Sequence, residues 1–237
     1  MDNENNKDLL EIKTVLLGEA GVGKTSIIKQ YTKNEFNSEI DSSISGQYNS
    51  KQIFIKEIDK KIKFDLWDTA GQEIYRSLAK IFYQDAKIII FVYDITNKKS
   101  FEGIKKYWHK QVLSSSNTNP ILALVGNKSD LYDDQEVKEE DAITYAESIG
   151  AIFQTTSAKS NTGIDMLFKN VGRKYVDPDF DYKAEEDNDK ELYNIKKEKK
   201  NKIKKEEMFN NDENDTSITS TKLYNDINAN KNKKRCC

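Results

Sequence analysis

The sequence predicts an α/β domain built on a six-stranded, mostly parallel sheet with helices on both faces, followed by a charged tail. Three observations predict it. From Leu9 to Val176, short apolar runs of strand length alternate with longer stretches of helical character, and such alternation favours parallel pairing through right-handed crossovers. One connection, Gly18-Glu19-Ala20-Gly21-Val22-Gly23-Lys24-Thr25, satisfies the spacing G-x-x-x-x-G-K-S/T between an apolar run, Thr14–Leu17, and a helix-like Ser26–Tyr31. Beyond Val176 the chain turns to Lys, Glu, Asp and Asn with few aliphatics, too little apolar surface to offset the entropy of ordering it. The expected organisation is a flexible N-terminus over 1–8, one binding domain over 9–176, and a largely disordered tail over 177–237.

Taken in order, Leu9–Leu17 reads as the first strand and Lys24 to about Thr32 as the first helix. Asn34–Asn49, with few aliphatics and several serines, reads as a long polar loop, and long loops in compact domains are usually functional. Gln52–Ile58 and Ile62–Trp67 flank a charged turn at Asp59–Lys61 and read as a hairpin. Asp68–Glu73 leads to a helix ending near Tyr83, then to the buried strand Lys87–Tyr93. A helix from Ser100, whose hydroxyl is expected to cap it, runs to about Leu113, followed by the strand Ile121–Val125. Val137–Ile149 reads as a helix, Ala151–Gln154 as a short strand, and Ile164–Tyr175 as a last helix stopped near Pro178.

Composition narrows the function classes. A net charge of −2 over 237 residues argues against a strongly basic nucleic-acid binder. The polar, acidic start Met1–Asn6 is not a secretory leader, and the longest apolar run, Ile88–Tyr93, is too short to span a bilayer. Both cysteines, Cys236 and Cys237, are adjacent at the end of the chain, where they make a poor structural disulfide. The single histidine, His109, rules out a multi-histidine metal centre and is expected on a helix surface or half-buried; Phe101, Tyr107 and Trp108 fall at core spacing. The lysine-rich run Lys196–Lys205 reads as a solvated charged segment, with contact to anionic lipid as the alternative.

The chemistry is carried by two motifs. Glycines let the phosphate loop curl so that its amides face an anion, and the helix behind it adds the positive end of its dipole. Lys24 would reach the terminal phosphates and the Thr25 hydroxyl would ligate Mg²⁺, with Ser26 beside them among the residues that bind the nucleotide. This loop alone leaves kinases, ATPases and GTPases open. Asn127-Lys128-Ser129-Asp130 follows a strand and falls on the ligand edge of the sheet. A carboxylate there accepts from the N1–H and 2-amino groups of guanine, whereas adenine would leave it unpaired.

Together with Trp67-Asp68-Thr69-Ala70-Gly71-Gln72-Glu73 and Ser157-Ala158-Lys159, these residues resemble the Ras superfamily of small GTPases throughout Leu9–Val176. The Trp before Asp-Thr-Ala-Gly-Gln-Glu, the following Tyr75-Arg76-Ser77-Leu78 and the final Cys-Cys are similar to the Rab branch, nearest its early-endosomal members. The resemblance implies the P-loop small-GTPase fold and a GTP/GDP switch that hydrolyses GTP and regulates vesicle trafficking, with Mg²⁺ as cofactor. It makes Asp68 a Mg²⁺ partner through water, Gly71 an amide donor to the γ-phosphate and Gln72 the catalytic residue that orients the attacking water. Phe36 would stack on guanine, with Asn127, Lys128, Asp130, Ser157, Ala158 and Lys159 around the base. Slow intrinsic turnover accelerated by a partner's arginine is implied as well.

The first switch departs from the family. Counting from Phe36 places Ser43 where the family has the Thr that closes on Mg²⁺ and the γ-phosphate; serine keeps the hydroxyl but not the methyl that restricts its rotamer. Ile44-Ser45-Gly46-Gln47-Tyr48 moves the family's glycine by one place and replaces its Phe with Tyr, and Ile74 stands where Arg or Lys is usual. Tyr48, Trp67 and Phe82 match the aromatic trio that Rab proteins present to effectors. The resemblance further implies geranylgeranyl groups on Cys236 and Cys237 and a long tether, Asp177–Arg235, to the cytoplasmic face of an endomembrane, the early endosome foremost, with a cytosolic pool. Implied partners are an exchange factor, a GTPase-activating protein, a prenylation escort, a GDP-dissociation inhibitor and effectors, with no nucleic acid among them. The alternative is a non-hydrolysing GTP-binding membrane scaffold.

Overall fold

A computed structural model of the chain describes residues 9–38, 47–69, 76–115 and 118–183, of which 76–79 and 115 are described by backbone alone. Ser43, Ala70, Gly71, Gln72, Cys236 and Cys237, the N-terminal 1–8 and the tail beyond Lys183 lie outside the described residues. The chain divides into two units, Met1–Phe180 and Asp181–Cys237.

The first unit follows the predicted alternation: β1 (Leu9–Leu17), α1 (Lys24–Lys33), β2 (Gln47–Ile55), β3 (Lys60–Asp68), α2 (Arg76–Tyr83), β4 (Ile88–Asp94) and α3 (Lys98–Gly103). A π-turn over Ile104–Trp108 joins α3 to α4 (His109–Ser115), and β5 (Ile121–Asn127), α5 (Glu139–Ser148), β6 (Ile152–Thr156) and α6 (Ile164–Val176) complete it. The six strands lie in the order β2-β3-β1-β4-β5-β6. Among these described strands only β2 runs antiparallel to its neighbour; the other pairs are parallel.

Because neighbouring side chains of a strand point to opposite faces, the apolar strands feed two cores. On one face Val15, Leu17, Ile89, Phe91, Tyr93 and Leu124 meet Phe101, Ile104, Trp108, Val112, Ala142 and Ala146 from α3 to α5. On the other, Tyr31 of α1 stacks on Phe168 of α6 with ring centroids 3.8 Å apart, and Phe168 meets Phe64 edge-on at 5.4 Å. His109 is half-buried, as expected, with its Nδ1 3.2 Å from the Tyr145 hydroxyl; burial lowers its pKa. Phe101 and Trp108 are core residues.

Three local expectations are corrected. β2 begins at Gln47, not Gln52, because an edge strand whose amides are paired with β3 needs no apolar alternation; its burial pattern is open along most of its length. Lys56–Ile58 leaves the strand as a 3₁₀ turn and Asp59 adopts a left-handed φ of 49°, so the hairpin turns before Lys60. The helix over 98–115 is capped by Asn97, whose side chain accepts from the Lys99 and Ser100 amides at 3.0 and 3.3 Å. Ser100 sits inside the helix, buried, where its hydroxyl accepts from the Asp94 amide at 3.1 Å. At the other end, packing continues past Val176: Phe180 is buried, with the Arg173 guanidinium 3.9 Å from its ring centroid and Lys174 Nζ donating to its carbonyl at 2.8 Å.

Candidate functional site

Parallel pairing brings the carboxyl ends of the strands to one edge. The register sets Leu16 beside Asp68, Asp94 beside Asn127, and Asn127 beside Thr156. Loops leaving these ends meet around a cleft of about 310 Å³, lined by Ala20, Gly21, Gly23, Lys24, Thr25, Ser26, Phe36, Asn127, Lys128, Asp130, Ala158 and Lys159. That is in the range of small-ligand sites, about 300–1,000 Å³. Asn37, Ser38 and Leu131, which no motif singles out, also line it, as does Thr69 of the Trp67–Glu73 motif, to which the sequence assigns no role. Thr69 is held there by its hydroxyl, which donates to the Leu16 carbonyl at 2.7 Å.

At the phosphate end, the loop requires glycine for two distinct reasons. A Cβ on Gly18 would stand 2.2 Å from the Val92 carbonyl oxygen, and one on Gly23, at φ 96°, would stand 2.3 Å from Asn127 Nδ2. α1 starts with no side-chain cap and no acidic residue in its first turn, so its first amides and positive dipole end serve the loop. Lys24 is 5% exposed and its Nζ donates to the carbonyls of Gly18 and Glu19, both at 2.9 Å. Burial lowers its pKa to about 8, against the opposing pull of Asp68 and Glu19.

This shift has a measurable sign. A bound phosphate favours the charged ammonium, so binding takes up a proton once the free protein has lost it. GDP affinity of the nucleotide-free protein is expected to hold below pH 8 and to fall by up to about tenfold per pH unit above it. Calorimetric titration on either side of pH 8 checks this; a flat profile would show that the buried ammonium stays charged.

Thr25 Oγ1 donates to Asp68 Oδ2 at 2.6 Å, which brings together the hydroxyl and the carboxylate expected at Mg²⁺. These hard oxygen donors fit that ion. Among the described residues no group of three or more His, Cys, Asp or Glu forms a protein-only metal cage.

At the other end of the cleft the predicted polar residues have definite partners. Asn127 Nδ2 donates to the Val22 carbonyl at 2.8 Å and its Oδ1 accepts from Thr156 Oγ1 at 3.1 Å. It therefore ties the phosphate loop to β5 and β6. Lys128 takes a left-handed φ of 67° and its Nζ pairs with Asp94 Oδ2 at 2.5 Å. Asp130 Oδ1 accepts from Ser157 Oγ at 2.5 Å, and its Oδ2 is 4.0 Å from Lys159 Nζ. Ser157 thus acts through Asp130, and its Oγ also accepts the Ser160 amide at 3.1 Å. Ala158 is buried, whereas Phe36 is 41% exposed on the cleft, as suits a ring that stacks on a planar ligand. Gly18 and Glu19 serve through the carbonyls that hold Lys24.

The aromatic trio is contiguous. Tyr48 meets Trp67 edge-on at 5.4 Å between centroids, and Trp67 meets Phe82 at 5.9 Å. Tyr48 is 51% exposed, and its hydroxyl donates to Asp65 Oδ1 at 2.6 Å.

The sequence model of the Ras family matches residues 13–177. The chain is 41% identical over 165 residues to Ras-related protein RABF2b of Arabidopsis thaliana, covering 70% of this chain and 81% of that protein. It is 39% identical over 174 residues to Ras-related protein Rab5A of Oryza sativa subsp. japonica, covering 73% and 84%. Against human Ras-related protein Rab-22A it is 40% identical over 171 residues, covering 72% and 87%.

Proposed function

The chain belongs to the Ras family of small GTPases, and from that premise we propose that the cleft holds GTP or GDP with its phosphates at Lys24 and Thr25 and its base at Asp130. It is a Rab GTPase that hydrolyses GTP and acts in vesicle trafficking, with endosomal relatives. The observation that carries the placement is Asp130: Ser157 holds a carboxylate on the same cleft as the phosphate loop. At its N1 and C2 positions guanine offers it two donors where adenine offers none.

The roles follow from the positions. The amides of the loop and the first turn of α1 cradle the phosphates, and Lys24 exchanges its loop carbonyls for phosphate oxygens. Thr25 and Asp68 would hold Mg²⁺, which when bound neutralises charge developing on the phosphates. Gln72 orients the attacking water, and the Gly71 amide and the Ser43 hydroxyl and amide close on the γ-phosphate, so the two switch segments order with GTP and relax after hydrolysis. A GTPase-activating protein supplies the arginine that speeds the reaction, and an exchange factor reopens the site. Effectors read the ordered switches through Tyr48, Trp67 and Phe82. Prenyl groups on Cys236 and Cys237, installed with an escort and masked by a GDP-dissociation inhibitor, place the switch on the cytoplasmic face of early endosomal membrane, with a cytosolic pool.

Denaturing the purified protein is expected to release guanine nucleotide; adenine nucleotide would exclude the base placement. In single-turnover assays with Mg²⁺, Gln72→Leu is expected to bind GTP normally and hydrolyse it at least about tenfold more slowly. Undiminished turnover would remove Gln72 from the mechanism.

A further inference from the structure

We propose that Asn34 and Asn161 form a clasp across the base end of the cleft and set how long the nucleotide stays bound. Asn161 Nδ2 donates to Asn34 Oδ1 at 3.1 Å, joining residues 127 positions apart in the sequence. Each asparagine stands next to one wall of the site. Asn34 ends α1 two residues before Phe36, and Asn161 follows Ala158 and Lys159 by a few residues. Phe36, Ala158 and Lys159 all line the cleft. On the reading that the base lies between these walls, on which the clasp rests, release requires the walls to part, and parting them breaks this bond.

Both sides of the clasp are held in advance. Asn34 is the C-cap of α1, left-handed at φ 56°, with its amide donating to the Gln30 carbonyl at 3.0 Å. The buried Gln30 donates through Nε2 to Asn34 Oδ1 at 2.9 Å, which fixes the amide with its oxygen toward Asn161. Asn161 is also left-handed, at φ 55°, and sits in a turn closed by paired backbone bonds between Ser157 and Thr162, each 3.1 Å. A lone exposed hydrogen bond between mobile side chains contributes little, because ordering them costs as much as the bond returns. Here the ordering is already done by the helix cap and the turn, so the bond resists opening with little such cost. Asparagine suits both positions, since it tolerates the left-handed region and carries the donor or acceptor needed.

The test uses the full chain loaded with a fluorescent GDP analogue, chased with excess unlabelled GDP. Asn161→Gly and Asn34→Gly keep the left-handed backbone and remove one partner each; release is expected to quicken about three- to tenfold in either. The double variant is expected to release no faster than the faster single one. Asn34→Asp keeps an acceptor for both Gln30 and Asn161 and is expected to retain the parental rate; the Asn161 variants, which leave the cap and its Gln30 bond untouched, separate the clasp from a merely structural role at this cap. Asn161→Asp, which opposes an acceptor to an acceptor, is expected to release faster. Release within twofold of the parent in both glycine variants, or multiplied effects in the double, would overturn the clasp. Asp130→Asn is the control for the base placement: undiminished GDP affinity there would overturn that reading, whereas weakened affinity with unchanged clasp variants overturns the clasp alone.

Discussion

Asp130→Asn is expected to lower GDP affinity at least about a hundredfold while leaving the nucleotide-free fold intact. On the proposed placement the carboxylate faces two donors of guanine, and hydrogen bonds to a charged partner contribute about 1.5–3 kcal/mol each. Ser157 Oγ donates to Asp130 Oδ1 at 2.5 Å, and an asparagine keeps an oxygen for that bond. Its Nδ2 must then face the base, setting donor against donor. The ranking of bases should change with it: xanthine carries a carbonyl where guanine carries the 2-amino group, so XDP gains an acceptor for Nδ2 and should overtake GDP. Competition between the two nucleotides, read by displacement of a fluorescent analogue, checks both the loss and the inversion. Unchanged base ranking would show that the carboxylate does not meet the base.

Gly23→Ala is expected to cost both stability and nucleotide binding. At φ 96° any Cβ is strained, at roughly 1–2 kcal/mol. This one would also stand 2.3 Å from Asn127 Nδ2, displacing the amide that holds the Val22 carbonyl. Leaving that buried pair unmade costs about 1–3 kcal/mol more. The sum, about 3 kcal/mol, corresponds to a fall in Tm of roughly 6–12 °C for a domain of this size. Calorimetric unfolding of the nucleotide-free protein checks it, with GDP titration alongside. A Tm within about 2 °C of the parent would mean that the loop relaxes around the methyl and that Asn127 is not its anchor.

Most strand and helix cores were readable because each is a local pattern: an apolar run, a helical spacing, a glycine loop before Lys24. The boundaries that differed lie where tertiary contacts replaced the local signal. Gln47–Lys51 are polar, yet they form a strand because β3 supplies the pairing. Asn97 and Ser100 are both competent caps, and the difference was made by Asp94, whose amide takes the Ser100 hydroxyl as acceptor. The π-turn over Ile104–Trp108 has no counterpart in a pattern that reads as continuous helix.

The candidate site divides in the same way. Residue types and spacing along the chain carried the proposed phosphate grip, the pairing of Lys24 with Thr25, and the proposal of Asp130 as a reader of guanine. A motif encodes a backbone shape and a functional group within a few residues, and both survive without knowledge of the rest of the chain. Orientation belonged to the tertiary structure alone. Ser157 aims Asp130 from 27 residues away, Asn127 anchors the phosphate loop across 105, and Asn161 reaches Asn34 across 127. Such bonds form only when the sheet register and loop ends bring distant groups within about 3 Å, a condition that no local spacing contains.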